Sequence, residues 1–207
     1  MWLWLAGCLR PDVDRILAER ASAPEGLGEE AWSDGLAAWA CAVDAGRTRS
    51  STLGIADFSL PSEVPRLWVV DLDTGELVVH DRVAHGSGSG ERFATRFSPE
   101  SGSHATSLGI YRAGLVYQGR NGRSLQLDGL EPSNATARER AVVVHPSTYV
   151  DDRWVADHGR TGRSWGCFAV DPDLADTVID ALRGGVLLAW ADVDAWRSSS
   201  PWLHCGR

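Results

Sequence analysis

The sequence predicts a mainly β fold with flanking helices, one sizeable domain behind a short helical preface. Three observations point there. Helical patterning dominates only as far as Gly46. A hairpin signal follows, with two β-rich runs around the turn residues Asp73, Thr74 and Gly75 in "RLWVVDLDTGELVVHDRVAHG". After it the chain offers a succession of short strands with a single capped helix among them.

Taken in order, "PDVDRILAERAS" and "GEEAWSDGLAAWACAVDAG" read as helices, because Asp and Glu sit near their starts, where the helix dipole favours negative charge, and Gly46 stops the second. Beyond the hairpin, "GIYRAGLVY", "RSLQLDGL", "RAVVVH", "CFAV" and "GVLLAWA" read as strands. Between the last two lies "DPDLADTVIDALRGG", an amphipathic helix with Pro172 early and Gly184 behind it. No repeat of fixed period appears. The chain therefore divides into a terminal stretch at 1–8, a helical segment at 9–57 and the main domain at 58–207.

Length and composition set the bounds. A chain of 207 residues with 43% hydrophobic content has enough apolar surface for one core. Its net charge of -8 argues against a nucleic-acid partner, since phosphate binding needs clustered Lys and Arg. No apolar stretch approaches the roughly 18–20 residues that a membrane-spanning helix needs.

The N-terminal "MWLWLAGCLRPD" reads two ways: as the tail of a signal peptide ending in a lipobox-like "LAGC", with Cys8 as lipid anchor of an envelope or periplasmic protein, or as a frayed apolar terminus. With Cys8 set aside for lipid and Cys167 for chemistry, Cys41 and Cys205 remain as a candidate disulfide of an exported protein. Cys41, in "LAAWACAV", also suits a small buried hydrophobe.

The loop "HGSGSGERFATRFSPESGSHATS" is long enough to be functional or mobile. It is not a phosphate loop, because no Lys-Ser/Thr follows and no apolar helix opens behind it. The four cysteines lack C-x-x-C spacing and the histidines form no i, i+4 pair on a helix, so no metal site is expected. His80 and His104 read as surface residues, whereas His85 stands at a strand end beside the glycines.

The chemistry-bearing pair is His145, ending "RAVVVH", and Cys167, opening "CFAV" behind Gly166. Strand ends that meet in space place both groups at one rim. A thiol of pKa near 8.5 is mostly protonated at neutral pH and needs an imidazole to become thiolate. Backbone N–H groups around Gly166 and Cys167 then face a developing oxyanion. A half-buried cysteine and a strand-end histidine are also common structural residues.

The stretch "VVVHPSTYVDDRWVADHGRTGRSWGCFAV" resembles the signature of the L,D-transpeptidase (YkuD-type) catalytic domain, a histidine followed at a distance by Ser/Thr-His-Gly-Cys. With "RLWVVDLDTGELVVHDRVAHGSGSG", "TSLGIYRAG" and "SLQLDGLEPSNATARERAVVVH", the similarity is to the divergent murein L,D-transpeptidase family and covers residues 58–191. The resemblance implies a β-sandwich or open barrel with Cys167 as nucleophile and His145 as base. Ser164, Trp165 and Gly166 form the oxyanion turn, and Arg163, Tyr149 and His85 are candidate substrate-binding residues. It implies acyl transfer on peptidoglycan stem peptides, to an amine or to water, with no cofactor. Trp165 stands where the pattern has its second histidine, Ala169 where Asn is frequent, and Pro146 where a small residue follows the base. These departures point to a specialised or weakened enzyme. Arg163 and Arg160 flank the turn, where a guanidinium suits a peptide carboxylate.

Two other classes stand beside this one. A chymotrypsin-like cysteine protease wants glycine after the nucleophile, where Phe168 stands here, and a papain-like order has its cysteine first. A non-catalytic wall-binding module would use some of the ten tryptophans to stack on sugars, although tryptophan is more often core material.

Overall fold

A computed structural model describes residues 10–205; Cys8 and the "LAGC" stretch lie outside the described residues. Two helices come first, α1 (Val13–Glu19) and α2 (Glu29–Asp44). The strands β1 (Thr52–Asp57), β2 (Leu67–Asp71), β3 (Glu76–Asp81) and β4 (Val83–Ala84) follow. After the glycine-rich loop come β5 (Gly109–Gly119), β6 (Gly122–Gly129) and β7 (Val143–Pro146). The chain continues through α3 (Asp152–His158), β8 (Phe168–Val170), α4 (Ala175–Leu182), β9 (Val186–Trp190) and α5 (Asp194–Ser199).

All the strands join one mixed sheet in the order β3-β2-β1-β9-β5-β6-β7-β8-β4. Its two edge strands, β3 and β4, are separated in sequence only by Arg82. A sheet whose opposite edges are one residue apart along the chain has to curl until those edges meet, so the β layer is a nearly closed barrel with flanking helices. Two parallel pairings, β1 with β9 and β7 with β8, sit among antiparallel ones.

The boundary expected at 57/58 moves. β1 falls inside the expected helical segment, yet it pairs with both β2 and β9 and is buried from Leu53 to Asp57. Such a central strand is covered on both faces and carries no alternation to reveal it. α3 is not expected from the sequence: it is a short helix of about two turns, capped by the Asp151 carboxylate and ended by Gly159, and it buries no residue.

α2 presents Trp32, Leu36, Trp39 and Val43 to the core, spaced three or four residues apart. It lies so close to β1 that a Cβ at Gly35 would meet the Ile55 side chain. The tryptophans are structural. The indole N–H groups of Trp32, Trp39, Trp68 and Trp202 donate to backbone carbonyls, and those of Trp190 and Trp196 to Asp34 and Glu131. Among the described tryptophans, Trp165 is the exposed exception.

Cys41 on α2 and Cys205 form a disulfide, with Cα atoms 6.0 Å apart, across a separation of 164 residues. It ties the C-terminal segment back to the first helical layer. Among the described residues no helix is long and apolar enough to cross a membrane.

Closing so long a loop restricts the unfolded chain strongly. Reducing the bond, or replacing Cys41 and Cys205 together by alanine, is expected to cost about 2–5 kcal/mol. Thermal unfolding with and without reductant reads this as a fall in Tm of about 5–15 °C. An unchanged melting curve on full reduction would show that the bond adds nothing to the fold.

Candidate active site

β7 and β8 run parallel, with Val144 opposite Phe168, His145 opposite Ala169 and Pro146 opposite Val170. Val144, Phe168 and Val170 point into the main core, where Phe168 meets Tyr111 edge-on at 5.4 Å. Ala169 points the other way, into a small cluster with Ala84, Val150 and Tyr149. Side chains alternate along a strand, so His145 shares the Ala169 face, and Cys167, two residues before Ala169, stands on that face at the strand mouth. A methyl group at Ala169 leaves the imidazole room.

His145 is buried at 4% exposure, and its Nδ1 is 2.9 Å from the carbonyl oxygen of Pro146. A carbonyl only accepts, so Nδ1 carries the proton and Nε2 keeps its lone pair. The orienter of His145 is therefore the backbone of the next residue. Burial pushes the imidazole below its ordinary value, and the bond to Pro146 acts against that. At pH 7 the ring is a neutral base.

Cys167 is partly exposed and is the free cysteine among the described residues. Burial raises its thiol above the ordinary value, opposed by the Val143 N–H and by the charge of Arg140. Sγ directs its hydrogen to the carbonyl of Ala141 at 3.6 Å. No hydrogen bond joins it to His145. The resting pair is thus neutral thiol and neutral imidazole rather than a thiolate–imidazolium ion pair.

The turn before Cys167 is tied by Ser164. Its Oγ donates to the Cys167 carbonyl at 2.7 Å and accepts from the Gly166 N–H at 3.1 Å. The Gly166 N–H is thus engaged within the turn, and Ser164 does not take up the Cys167 N–H. Gly166 has φ 112, and a Cβ there would lie 2.7 Å from Arg140 Nη2 and 2.8 Å from the Ala105 carbonyl.

The glycine-rich loop supports this turn. Ser164 N–H donates to the His85 carbonyl at 2.9 Å, and Ser87 N–H donates to the Ser164 carbonyl at 2.8 Å. On its other side Gly88 N–H donates to His104 O at 2.9 Å, and Gly86 N–H to Thr106 Oγ1 at 2.9 Å. Side chains at Gly86 or Gly88 would collide with the backbone of residues 103–106. The glycines of "HGSGSG" thus serve close backbone approach.

Several candidates are placed differently from expectation. His85 is fully buried, with Nδ1 2.8 Å from Arg66 Nη2 and Nε2 3.4 Å from the Gly90 carbonyl. Burial, then the charge of Arg66, pushes its pKa down to about 3, and the enclosed ring braces the loop. Arg163 and Arg160 do bind a carboxylate, but it is the chain's own Glu91, at 2.6 Å and 3.1 Å. Trp165, standing where the pattern has its second histidine, is 74% exposed and stacks on His104 with ring centroids 4.7 Å apart. Tyr149 does lie beside the thiol: burial, opposed by a bond to Ser147, raises its phenol to about 12, with a further push from Cys167. The residues not foreseen are Arg140 and Ala141. Among the described residues, Ala141 and His104 are the two non-glycine residues with left-handed φ, both 53°, and both border the Cys167 turn.

Among the described residues no group of three or more His, Cys, Asp or Glu side chains gathers to hold a metal. No curated protein matches the chain. Among solved structures, an L,D-transpeptidase from Mycobacterium smegmatis is 16% identical, with a TM-score of 0.41 over 69% of this chain and 59% of that one. An L,D-transpeptidase from Stackebrandtia nassauensis is 13% identical, with a TM-score of 0.40 over 86% and 89%. The helical cell shape determining protein Pgp2 from Campylobacter jejuni is 10% identical, with a TM-score of 0.42 over 82% and 56%. These distant likenesses carry no argument about activity. The family model of the L,D-transpeptidase catalytic domain matches residues 24–190, most of the chain, and so takes in β1 and α2 as well as the Cys167 turn. The chain belongs to the L,D-transpeptidase catalytic-domain family.

Proposed function

We propose that the protein transfers acyl groups of peptidoglycan stem peptides through a thioester on Cys167, with His145 as the base. The observation that carries this reading is the shared face of His145 and Cys167 at the mouth of the β7–β8 pair, with the imidazole proton fixed on Nδ1 by Pro146.

On this reading the donor displaces the thiol hydrogen from Ala141 O and turns it toward His145 Nε2. Nε2 takes the proton as sulfur bonds to the carbonyl carbon of the third stem residue. The carbonyl electron pair moves to oxygen, where the Cys167 N–H meets it. Collapse restores the carbonyl and breaks the C–N bond, and the imidazolium returns its proton to the departing D-alanine amine. A stem amine gives a crosslink and water gives carboxypeptidation; either loses its proton to Nε2, and the released sulfur recovers it. The disulfide suits an oxidising compartment, so the reading places the protein in the cell envelope, with attachment through Cys8 as part of the same reading.

A second reading, a non-catalytic wall-binding module, has one observation in its favour: the thiol bonds to Ala141 O and not to the imidazole. Incubation with purified sacculi and with a soluble tetrapeptide stem, followed by mass spectrometry of the products, separates the two. Loss of D-alanine or crosslinked product supports transfer, whereas retention on sacculi without product supports the binder.

Cys167→Ala is expected to abolish product and acyl adduct while leaving the fold intact. His145→Ala is expected to slow acylation at pH 7 by about 10²–10⁴-fold. Because burial raises the thiol, its rate recovers only above the ordinary cysteine range. Wild-type acylation holds at pH values down to the ordinary histidine range and falls below it, because burial lowers the imidazole. A rate that falls already above pH 7 would contradict the neutral resting pair.

Trp165→Ala is expected to raise KM severalfold with kcat largely kept, since the exposed indole touches substrate beyond the reacting bond and no proton passes through it. Loss of kcat at unchanged KM would assign it to the chemical step.

A further inference from the structure

Arg140 occupies the turn before β7, in the charged run "ARERA". Nη1 donates to the Ser98 carbonyl at 3.0 Å and Nη2 to the Ala105 carbonyl at 2.6 Å. Both acceptors belong to the segment that carries His104, on which Trp165 stacks. The same Nη2 fills the space that a Cβ at Gly166 would need, and the next residue, Ala141, offers its carbonyl to the Cys167 thiol. Two carbonyls, and no carboxylate within ion-pair distance, hold this guanidinium among the described residues.

We propose that Arg140 is a positioning residue for the nucleophile: its guanidinium pins the 98–105 segment against the Gly166–Cys167 turn and presents a fixed positive charge to the Cys167 sulfur. The inference rests on Cys167 being the reactive thiol, as in the proposed function, and is independent of the acyl donor. A planar fork suits the task, since it spans two carbonyls while its charge stays over the turn. The other groups facing the thiol are His145 on β7 and Tyr149 beyond it, and both are neutral at pH 7. Glu100 and His104, on the segment packed against the turn, are exposed to solvent. Arg140 is therefore the fixed charge that favours the thiolate, working with the Val143 N–H against the burial that raises the thiol.

Iodoacetamide alkylation, read by mass spectrometry on the peptide containing Cys167 and followed from neutral to strongly alkaline pH, tests this on the full chain. A cation within a few ångströms shifts a titration by about one unit or more. Arg140→Gln is expected to move the alkylation midpoint up by about one unit and to slow alkylation at pH 7 about tenfold. Arg140→Lys, which keeps the charge, is expected to recover more than half of that shift, a rescue that a purely structural role would not produce. Circular dichroism reports whether each variant folds. A folded Arg140→Gln chain with the wild-type midpoint would overturn the proposal, as would Arg140→Lys behaving like Arg140→Gln. Should Arg140→Gln not fold, the wild-type midpoint decides: it should rise between low salt and about 1 M salt as the cation is screened, and a flat response overturns the proposal. Iodoacetamide needs only the thiolate, so failure of stem-peptide transfer leaves this readout intact; an Arg140-dependent midpoint without acylation would retain the positioning role and remove the proposed reaction.

Discussion

The passage of the chain from one edge of the sheet to the other at Arg82 governs how the site is built. β3 closes the sheet on one side and β4 on the other, and a single residue joins them. Arg82 secures the crossing, donating to the Val150 carbonyl at 3.2 Å and pairing with Asp152 at the start of α3. β4 then pairs with β8, the strand that follows Cys167, so the loop leaving β4 has to run beside the nucleophile turn. Its glycines answer that constraint, because only backbone without side chains fits between Ser164 and residues 103–106. Arg66 holds the loop from beneath. It is fully buried, donates to the Val83 and Leu60 carbonyls and contacts His85, and burial lowers its pKa to about 9.

The electrostatics of the site follow from the same enclosure. Burial disfavours charge on both reactive groups, which leaves each in its neutral form. A neutral pair avoids the cost of an ion pair held out of water, and the proposed reaction would move the proton only when a donor carbonyl reaches the sulfur. Within the turn, Ser164 takes up the Gly166 N–H and so holds its shape. The backbone strain lies at the same place: Ala141 and His104 hold left-handed φ on either side of the Cys167 turn.

What the sequence made legible was whatever local chemistry decides. The β2–β3 hairpin could be read because Asp73, Thr74 and Gly75 interrupt two β-rich runs, and Gly75 takes the φ of 81° that the turn demands. α1, α2 and α4 carry their own end signals. β1 is hidden because burial on both faces erases its periodicity, and β4 is two residues long, a strand only by virtue of β8. At the site, Cys167 and His145 stand out by residue type and strand position. Arg140 does not, since its partners Ser98 and Ala105 are 42 and 35 residues away in sequence. The Arg163 partner was hidden for the same reason, its carboxylate being Glu91, 72 residues earlier. The burial of His85 likewise comes only with the closed sheet and could not be read from its neighbours in sequence.

The central claim is that the thiol at the mouth of the β7–β8 pair is the group that carries the acyl chain. Rapid quenching of the wild-type protein mixed with a soluble tetrapeptide stem, followed by peptide mapping, tests it most directly. The account predicts a transient adduct equal in mass to the stem acyl group without its terminal D-alanine, located on Cys167 and decaying as product accumulates. Product formed while the Cys167 peptide stays unmodified throughout, or an adduct located on any other residue, would contradict it.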